Sequence, residues 1–189
     1  MSDSLAYFIT FSCYGAWLHG DQRGSVDRQH NHFGEEFLVP NPALQAYRRS
    51  LMKHPATAMD QPHRRIALNA VLEIAKRKSW HLYAVHVRTN HIHVVVQAEQ
   101  SKERAMNSIK ARITFRMNRS FPEEIDCTHW TRHGSTRELF STDSLISAVR
   151  YVILEQGEPM EYYVDPEMSK LIGLEPRTQA TRTQSESPE

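Results

Sequence analysis

The stretch WHLYAVHVRTNHIHVVVQ, residues 80–97, contains two runs, Trp80 to Val87 and Ile92 to Gln97, joined by the short connector Arg88-Thr89-Asn90. β-Branched and aromatic residues dominate both runs and polar residues separate them, so the stretch reads as a β-hairpin. Upstream, Arg64 to Lys78 sets Ile66, Ala67, Ala70, Val71, Ile74 and Ala75 at helical spacing, with basic residues in the last turn where the helix dipole favours them. Earlier still, Ala6 to Tyr14 alternates in part and reads as a strand. Downstream, Ser101 to Arg119 reads as a second long helix with Ser101 as its N-cap, and Gly134 suggests a turn between short strands. Strand, helix, strand, strand, helix, strand is the ferredoxin-like βαββαβ plan. A third helix is expected from Asp143 to about Gln156, where Leu145, Ile146, Val149, Val152 and Ile153 form a core stripe and Gly157 and Pro159 are stop signals. The expected fold is therefore α+β: an antiparallel ferredoxin-like sheet with helices on one face, plus an additional C-terminal helix that carries Tyr151.

A chain of 189 residues suits one domain, taken here as residues 1–175 with an elaborated loop over about 15–63 in which only Ala43 to Met52 looks helical. Residues 176–189 are Thr, Gln, Ser, Glu and Pro with almost nothing apolar, so a mobile tail is expected there. No run approaches the ~20 apolar residues of a membrane helix, and the start lacks a basic segment, so a cytoplasmic protein is expected. Cys13 and Cys127 alone cannot build a disulfide framework or a four-cysteine zinc site. The net charge of +1 conceals basic clusters and an acidic C-terminal region, and by itself neither supports nor rules out a nucleic-acid partner.

The chemistry-bearing residues start with His91 and His93. Period-two geometry sends both imidazoles to one face of a strand while Ile92 faces the other, so two nitrogen ligands converge. An incomplete ligand shell, finished by water and substrate, is what a Lewis-acid catalyst requires. The third helix offers Tyr151 and, one turn on, Glu155, with Gln156 next in sequence. At 3.6 residues per turn Glu155 returns to within ~40° of Tyr151 whereas Gln156 overshoots to ~140°, although the helix end at Gly157 can relax that preference. One of the two is expected as a further ligand. The remaining histidines show no common ligand geometry and read mostly as surface or core residues.

With Tyr7-Phe8-Ile9-Thr10-Phe11 and Tyr14-Gly15-Ala16-Trp17-Leu18 at the start, then Asn90-His91-Ile92-His93-Val94, Arg132-His133-Gly134-Ser135-Thr136-Arg137 and Ala148-Val149-Arg150-Tyr151-Val152, the chain resembles the single-tyrosine HUH transposases, IS200-like and REP-associated, over roughly residues 5–163. The resemblance implies that Mg²⁺ or Mn²⁺ polarises a scissile phosphate of single-stranded DNA beside a hairpin. It further implies that the tyrosine attacks to leave a 5′-phosphotyrosine and a free 3′-hydroxyl, and that a 3′-hydroxyl later reseals the strand. An ordinary phenol, ionising near pH ~10, profits from such a metal or a base. No phosphate loop of the Gly-rich Lys-Ser/Thr kind is present, so ATP is not implied. Relatives often carry Gln or Asn near this point of the tyrosine helix, which leaves Glu155 and Gln156 both open. The resemblance also implies a homodimer, and it leaves open whether the tyrosine serves its own or the partner's histidine pair.

Two basic clusters are candidate DNA contacts. Arg112, Arg116 and Arg119 fall on one face of the second helix beside Lys110, and Arg132, His133 and Arg137 surround Gly134, where a turn lets backbone amides approach a phosphate. A His-triad nucleotide hydrolase is a competing enzyme reading, weakened because Val95 stands at the third alternating position. A catalytically silent single-stranded or hairpin DNA- or RNA-binding protein is the non-enzymatic alternative.

Overall fold

The computed structural model describes residues 4–22 and 39–174. The tail 176–189 and the part of the 15–63 elaboration at residues 23–38 lie outside the described residues. In chain order the elements are β1 (Ala6–Ser12), α1 (Pro42–Ser50), α2 (Gln61–Arg77), β2 (His81–Val87), β3 (His91–Gln97), α3 (Lys102–Ser120), β4 (Ser135–Leu139), α4 (Thr142–Leu154), β5 (Glu161–Val164) and α5 (Pro166–Leu171). The sheet order is β4-β1-β3-β2-β5 and every pairing is antiparallel. Its first four positions are the expected ferredoxin-like arrangement. β5 and α5 are additions that the sequence pattern did not reveal.

The run Val94-Val95-Val96 follows from what covers the sheet. Ile92, Val94 and Val96 face one side with Ile9 and Phe11 of β1, and they pack under Ala70, Val71 and Ile74 of α2 and Ile109 and Ile113 of α3. Val95 faces the other side with Ala84 and Leu139, beneath Leu145, Val149, Val152 and Ile153 of α4 and Met168 of α5. A sheet buried on both faces needs apolar residues at consecutive positions, which is why β3 is not a simple alternation. A register irregularity between Leu82 and Ala84 re-phases β2, so that Val85 and Val87 join the first core.

Local sequence starts the helices where expected. Asp60, Ser101 and Ser141 each accept a backbone N–H of the first turn, and Ser144 returns the bond to the Ser141 amide. On α4 the buried Val, Leu and Ile side chains are worth roughly 1.5–3 kcal/mol each, which seats the helix firmly on the sheet. Gly134 is needed for close packing: a Cβ there would lie 2.6 Å from the Thr10 carbonyl oxygen and 2.7 Å from the Met106 sulfur. Cys13 is buried and Cys127 exposed, and both are free thiols. No helix among the described residues is long and apolar enough to cross a membrane.

Candidate active site

The α4 side of the sheet opens into a cleft of about 650 Å³. β3 supplies His91 and His93, and β1 supplies Phe8, Thr10 and Ser12 from alternate positions. The register makes this juxtaposition, since Thr10 pairs with His93 and Ser12 with His91. α4 contributes Ser147, Ala148 and Tyr151 along one edge, i, i+1 and i+4, just beside its buried stripe. Ser135 and Arg137 of β4, with Trp17 from the segment after β1, complete the wall, and among the described residues the lining holds no carboxylate.

The two imidazoles lie with ring centroids 4.7 Å apart. Tyr151, 42% exposed, sets the edge of its ring against His93 at 5.7 Å and against Phe8 at 5.9 Å. Phe8 in turn stacks on His93 at 5.8 Å, and the Arg137 guanidinium lies 5.5 Å from the centre of the Phe8 ring. Aromatic packing therefore ties the tyrosine to the histidine pair of its own chain.

Second contacts orient the imidazole nitrogens. The Nδ1 of His91 lies 2.7 Å from Asn90 Oδ1, an acceptor, so that nitrogen carries the proton of the neutral ring and Nε2 carries the lone pair. His93 Nδ1 lies 2.7 Å from Thr10 Oγ1, and its Nε2 lies 3.1 Å from Gln156 Oε1. Gln156 Nε2 donates to the Tyr151 carbonyl oxygen at 3.1 Å, which turns the amide oxygen toward His93. Burial, reinforced by the neighbouring His91, pushes the His93 pKa down to about 3, so the ring is neutral.

These residues fit a divalent cation. His93 Nε2 and Gln156 Oε1 share one proton between two lone pairs, and a cation can replace that proton while the Thr10 hydroxyl accepts from Nδ1–H. With His91 Nε2 the donor set is two imidazoles and an amide oxygen. Among the described residues no group of three or more His, Cys, Asp or Glu is placed to hold a metal, so the remaining positions would fall to water and substrate.

The structure separates the two candidate third ligands. α4 ends at Leu154 and Glu155 is its C-cap, exposed and outside the cleft lining. The Glu155 amide still makes the helical bond to the Tyr151 carbonyl oxygen, at 3.3 Å, but its side chain does not line the cleft. Gln156, just before the turn at Gly157, lines the cleft and sets its amide oxygen 3.1 Å from His93 Nε2.

The candidate DNA contacts also divide. Arg137 lines the cleft, and Arg132 and His133 are exposed on the segment entering β4. Lys110 corrects the expected basic stripe: it is buried, and its ammonium donates to the carbonyls of Thr131 and His133 at 3.0 and 3.1 Å, holding that segment in place. Arg112 pairs with Glu73 of α2 and lies over Phe115, and Arg116 is 3.9 Å from the same carboxylate. α3 sits on the sheet face opposite the histidines, so its exposed Arg119 is also remote from the cleft. Phe8, Thr10 and Trp17 stood out in the sequence only as parts of the resembling motifs, and Ser12 and Ser147 not at all; none was read as a site residue. The period-two face of β1 was the available signal, and it became readable only with the β1–β3 register.

The neutral state of His93 has a consequence for stability. A pKa of about 3 against the ordinary 6.5 means that the unfolded chain binds more protons between those values. Stability present above pH 6.5 is thus lost on acidification toward pH 3, by up to about 1.4 kcal/mol per unit. Urea unfolding of chelator-treated protein should show this slope, and His93→Gln should flatten it, with the buried His86 and His129 supplying a residual slope of the same sign.

Fold and cleft together define a ferredoxin-like α+β protein in which a His-x-His pair and a helix-borne tyrosine share one opening. The sequence model described as "Transposase IS200 like" matches residues 45–152, more than half of the chain, and the chain belongs to that transposase family. Among solved structures it is similar to a REP-associated tyrosine transposase bound to a REP hairpin, at 10% identity over 82% of this chain and 67% of that one, with a TM-score of 0.44. It is also similar to a protein assigned as a transposase from Deinococcus radiodurans R1, at 12% identity over 80% of this chain and 91% of that one, with a TM-score of 0.42. No curated protein matches the chain.

Proposed function

We propose that this transposase cuts and rejoins single-stranded DNA through a 5′-phosphotyrosine on Tyr151, with Mg²⁺ or Mn²⁺ held by His91, His93 and Gln156. The observation that carries the reading is Tyr151 packed 5.7 Å from His93 in a cleft lined by Arg137 and, among the described residues, by no carboxylate. Such a cleft accepts a phosphodiester without like-charge repulsion. When bound, the ion polarises the scissile phosphate and offsets the charge that develops on it.

The chain's own groups account for the rest. Arg137 takes a phosphate oxygen, and Phe8 and Trp17 offer faces against which bases of an unpaired strand can stack. The Tyr151 oxygen forms a bond to phosphorus as the bond from phosphorus to the 3′-oxygen breaks. The phenol proton leaves with solvent, and the departing oxygen takes one up as a free 3′-hydroxyl. Rejoining runs this in reverse: an incoming 3′-hydroxyl attacks, the tyrosine–phosphorus bond breaks and the phenol is restored. Stored phosphoester energy makes a nucleotide cofactor unnecessary. Tyr151 and both histidines belong to one chain, so each protomer of the proposed homodimer is read as holding its own site. The hairpin beside the cleaved strand is proposed from the family.

The test is incubation of the protein with labelled single-stranded hairpin DNA from beside its own gene, with and without Mn²⁺ or Mg²⁺, followed by denaturing electrophoresis. A slow-migrating covalent product that requires the ion is expected. Binding without any product would instead indicate a catalytically silent DNA-binding descendant.

A further inference from the structure

His86 lies in β2 directly across from His93 in the register, and it is fully buried. Both of its ring nitrogens are bonded to the segment that follows the tyrosine. Nδ1–H donates to the Val152 carbonyl oxygen at 2.8 Å, and Nε2 accepts the Met160 backbone N–H at 3.2 Å. Val152 is in the last turn of α4, where carbonyls lack a helical amide partner, and Met160 directly precedes β5. One imidazole thus closes both ends of the stretch 152–160. Within that stretch Arg88 donates to the Glu158 carbonyl, and its Nη1 lies 3.5 Å from His86 Nε2. Gln156 is carried on the closed loop, bonded back to the Tyr151 carbonyl and facing His93.

We propose that His86 is a positioning residue for strand cleavage, a clasp that fixes the end of the tyrosine helix and the Gln156 loop against the histidine pair. The proposal rests on the phosphotyrosine reading above. The chemistry explains why histidine stands there: only a neutral imidazole presents a donor at one ring nitrogen and an acceptor at the other. Asn can reproduce the donor near Nδ1 and Gln the acceptor near Nε2, but neither reproduces both. The Tyr162 ring, edge-on at 6.0 Å, helps keep the imidazole in this orientation.

The two bonds can be separated experimentally in the full chain. His86→Asn keeps the hold on Val152, His86→Gln keeps the hold on Met160, and His86→Leu releases both. Three readouts are needed: the single-turnover rate of covalent adduct formation with labelled hairpin DNA at saturating Mn²⁺, DNA affinity by fluorescence anisotropy, and the ¹⁹F resonance of 3-fluorotyrosine incorporated at position 151. His86→Leu is expected to slow adduct formation roughly 10²-fold while affinity stays within about twofold, because misplacement of the nucleophile affects the chemical step and not binding. Its fluorine resonance should move, whereas His86→Asn should retain the parent resonance and most of the rate, and His86→Gln should retain neither. A parent-like rate and resonance in His86→Leu would overturn the clasp. Should that variant not fold, equal rates and equal resonances for Asn and Gln would overturn it. A parent that forms no adduct removes the phosphotyrosine reading, and the fluorine shift then decides the clasp separately.

Discussion

Tyr151→Phe is expected to abolish the metal-dependent covalent adduct altogether while DNA affinity stays within about twofold of the parent, since only the attacking oxygen is removed. The ring's contacts with Phe8 and His93 are made by its edges and carbon framework, and phenylalanine keeps them. The fold should be equally indifferent, because Tyr151 is flanked by the buried stripe of α4 without belonging to it. Electrophoresis under denaturing conditions reads the adduct, and anisotropy with the same hairpin reads binding. A persistent adduct would remove Tyr151 as nucleophile. Loss of binding in step with the adduct would mean that the hydroxyl serves recognition instead.

Removal of either histidine should lower metal-dependent cleavage on the order of 10³-fold, or about 4 kcal/mol of barrier, as expected when electrostatic stabilisation of a phosphoryl transition state fails. The two variants should nevertheless differ in stability. His93 is buried between Thr10 and Gln156, so His93→Ala leaves polar partners unsatisfied and should also destabilise the protein by about 1–3 kcal/mol. His91 is half-buried and bonded to Asn90, which is also half-buried. His91→Ala should therefore lose cleavage with little change in unfolding midpoint. Adduct yields across a Mn²⁺ titration, paired with urea unfolding, separate the two effects. Parent-like cleavage by His91→Ala would remove the pair as a metal site.

Much of this architecture is legible in the sequence where a local period reports a buried face. The helical spacing of Ile66 through Ala75 and the β-rich hairpin at 80–97 both appear close to their expected bounds. β5 escaped because it is only four residues long, and its half-buried side chains give no alternation to read. The fate of Lys110 was hidden for a different reason. Its partners Thr131 and His133 lie more than 20 residues away in sequence, and a helical stripe says nothing about carbonyls delivered from a distant loop. That Gln156 rather than Glu155 enters the cleft was hidden because α4 ends at Leu154, earlier than the expected Gln156, and the path of the chain past a helix end is not set by helical spacing. The His-x-His pair was visible from spacing alone, whereas Thr10 and His86 acquire meaning only through the strands beside it.

The most direct test of the central claim is the chemical location of the bond to DNA. The adduct formed with hairpin DNA and Mn²⁺ would be treated with nuclease, digested after basic and acidic residues, and sequenced by tandem mass spectrometry. The expected result is a peptide starting at Tyr151, released by cleavage after Arg150, with a nucleotide joined through its 5′-phosphate to that tyrosine. The nucleotide on Tyr162 or Tyr163 of the following strand, or on a histidine of the cleft, would contradict it.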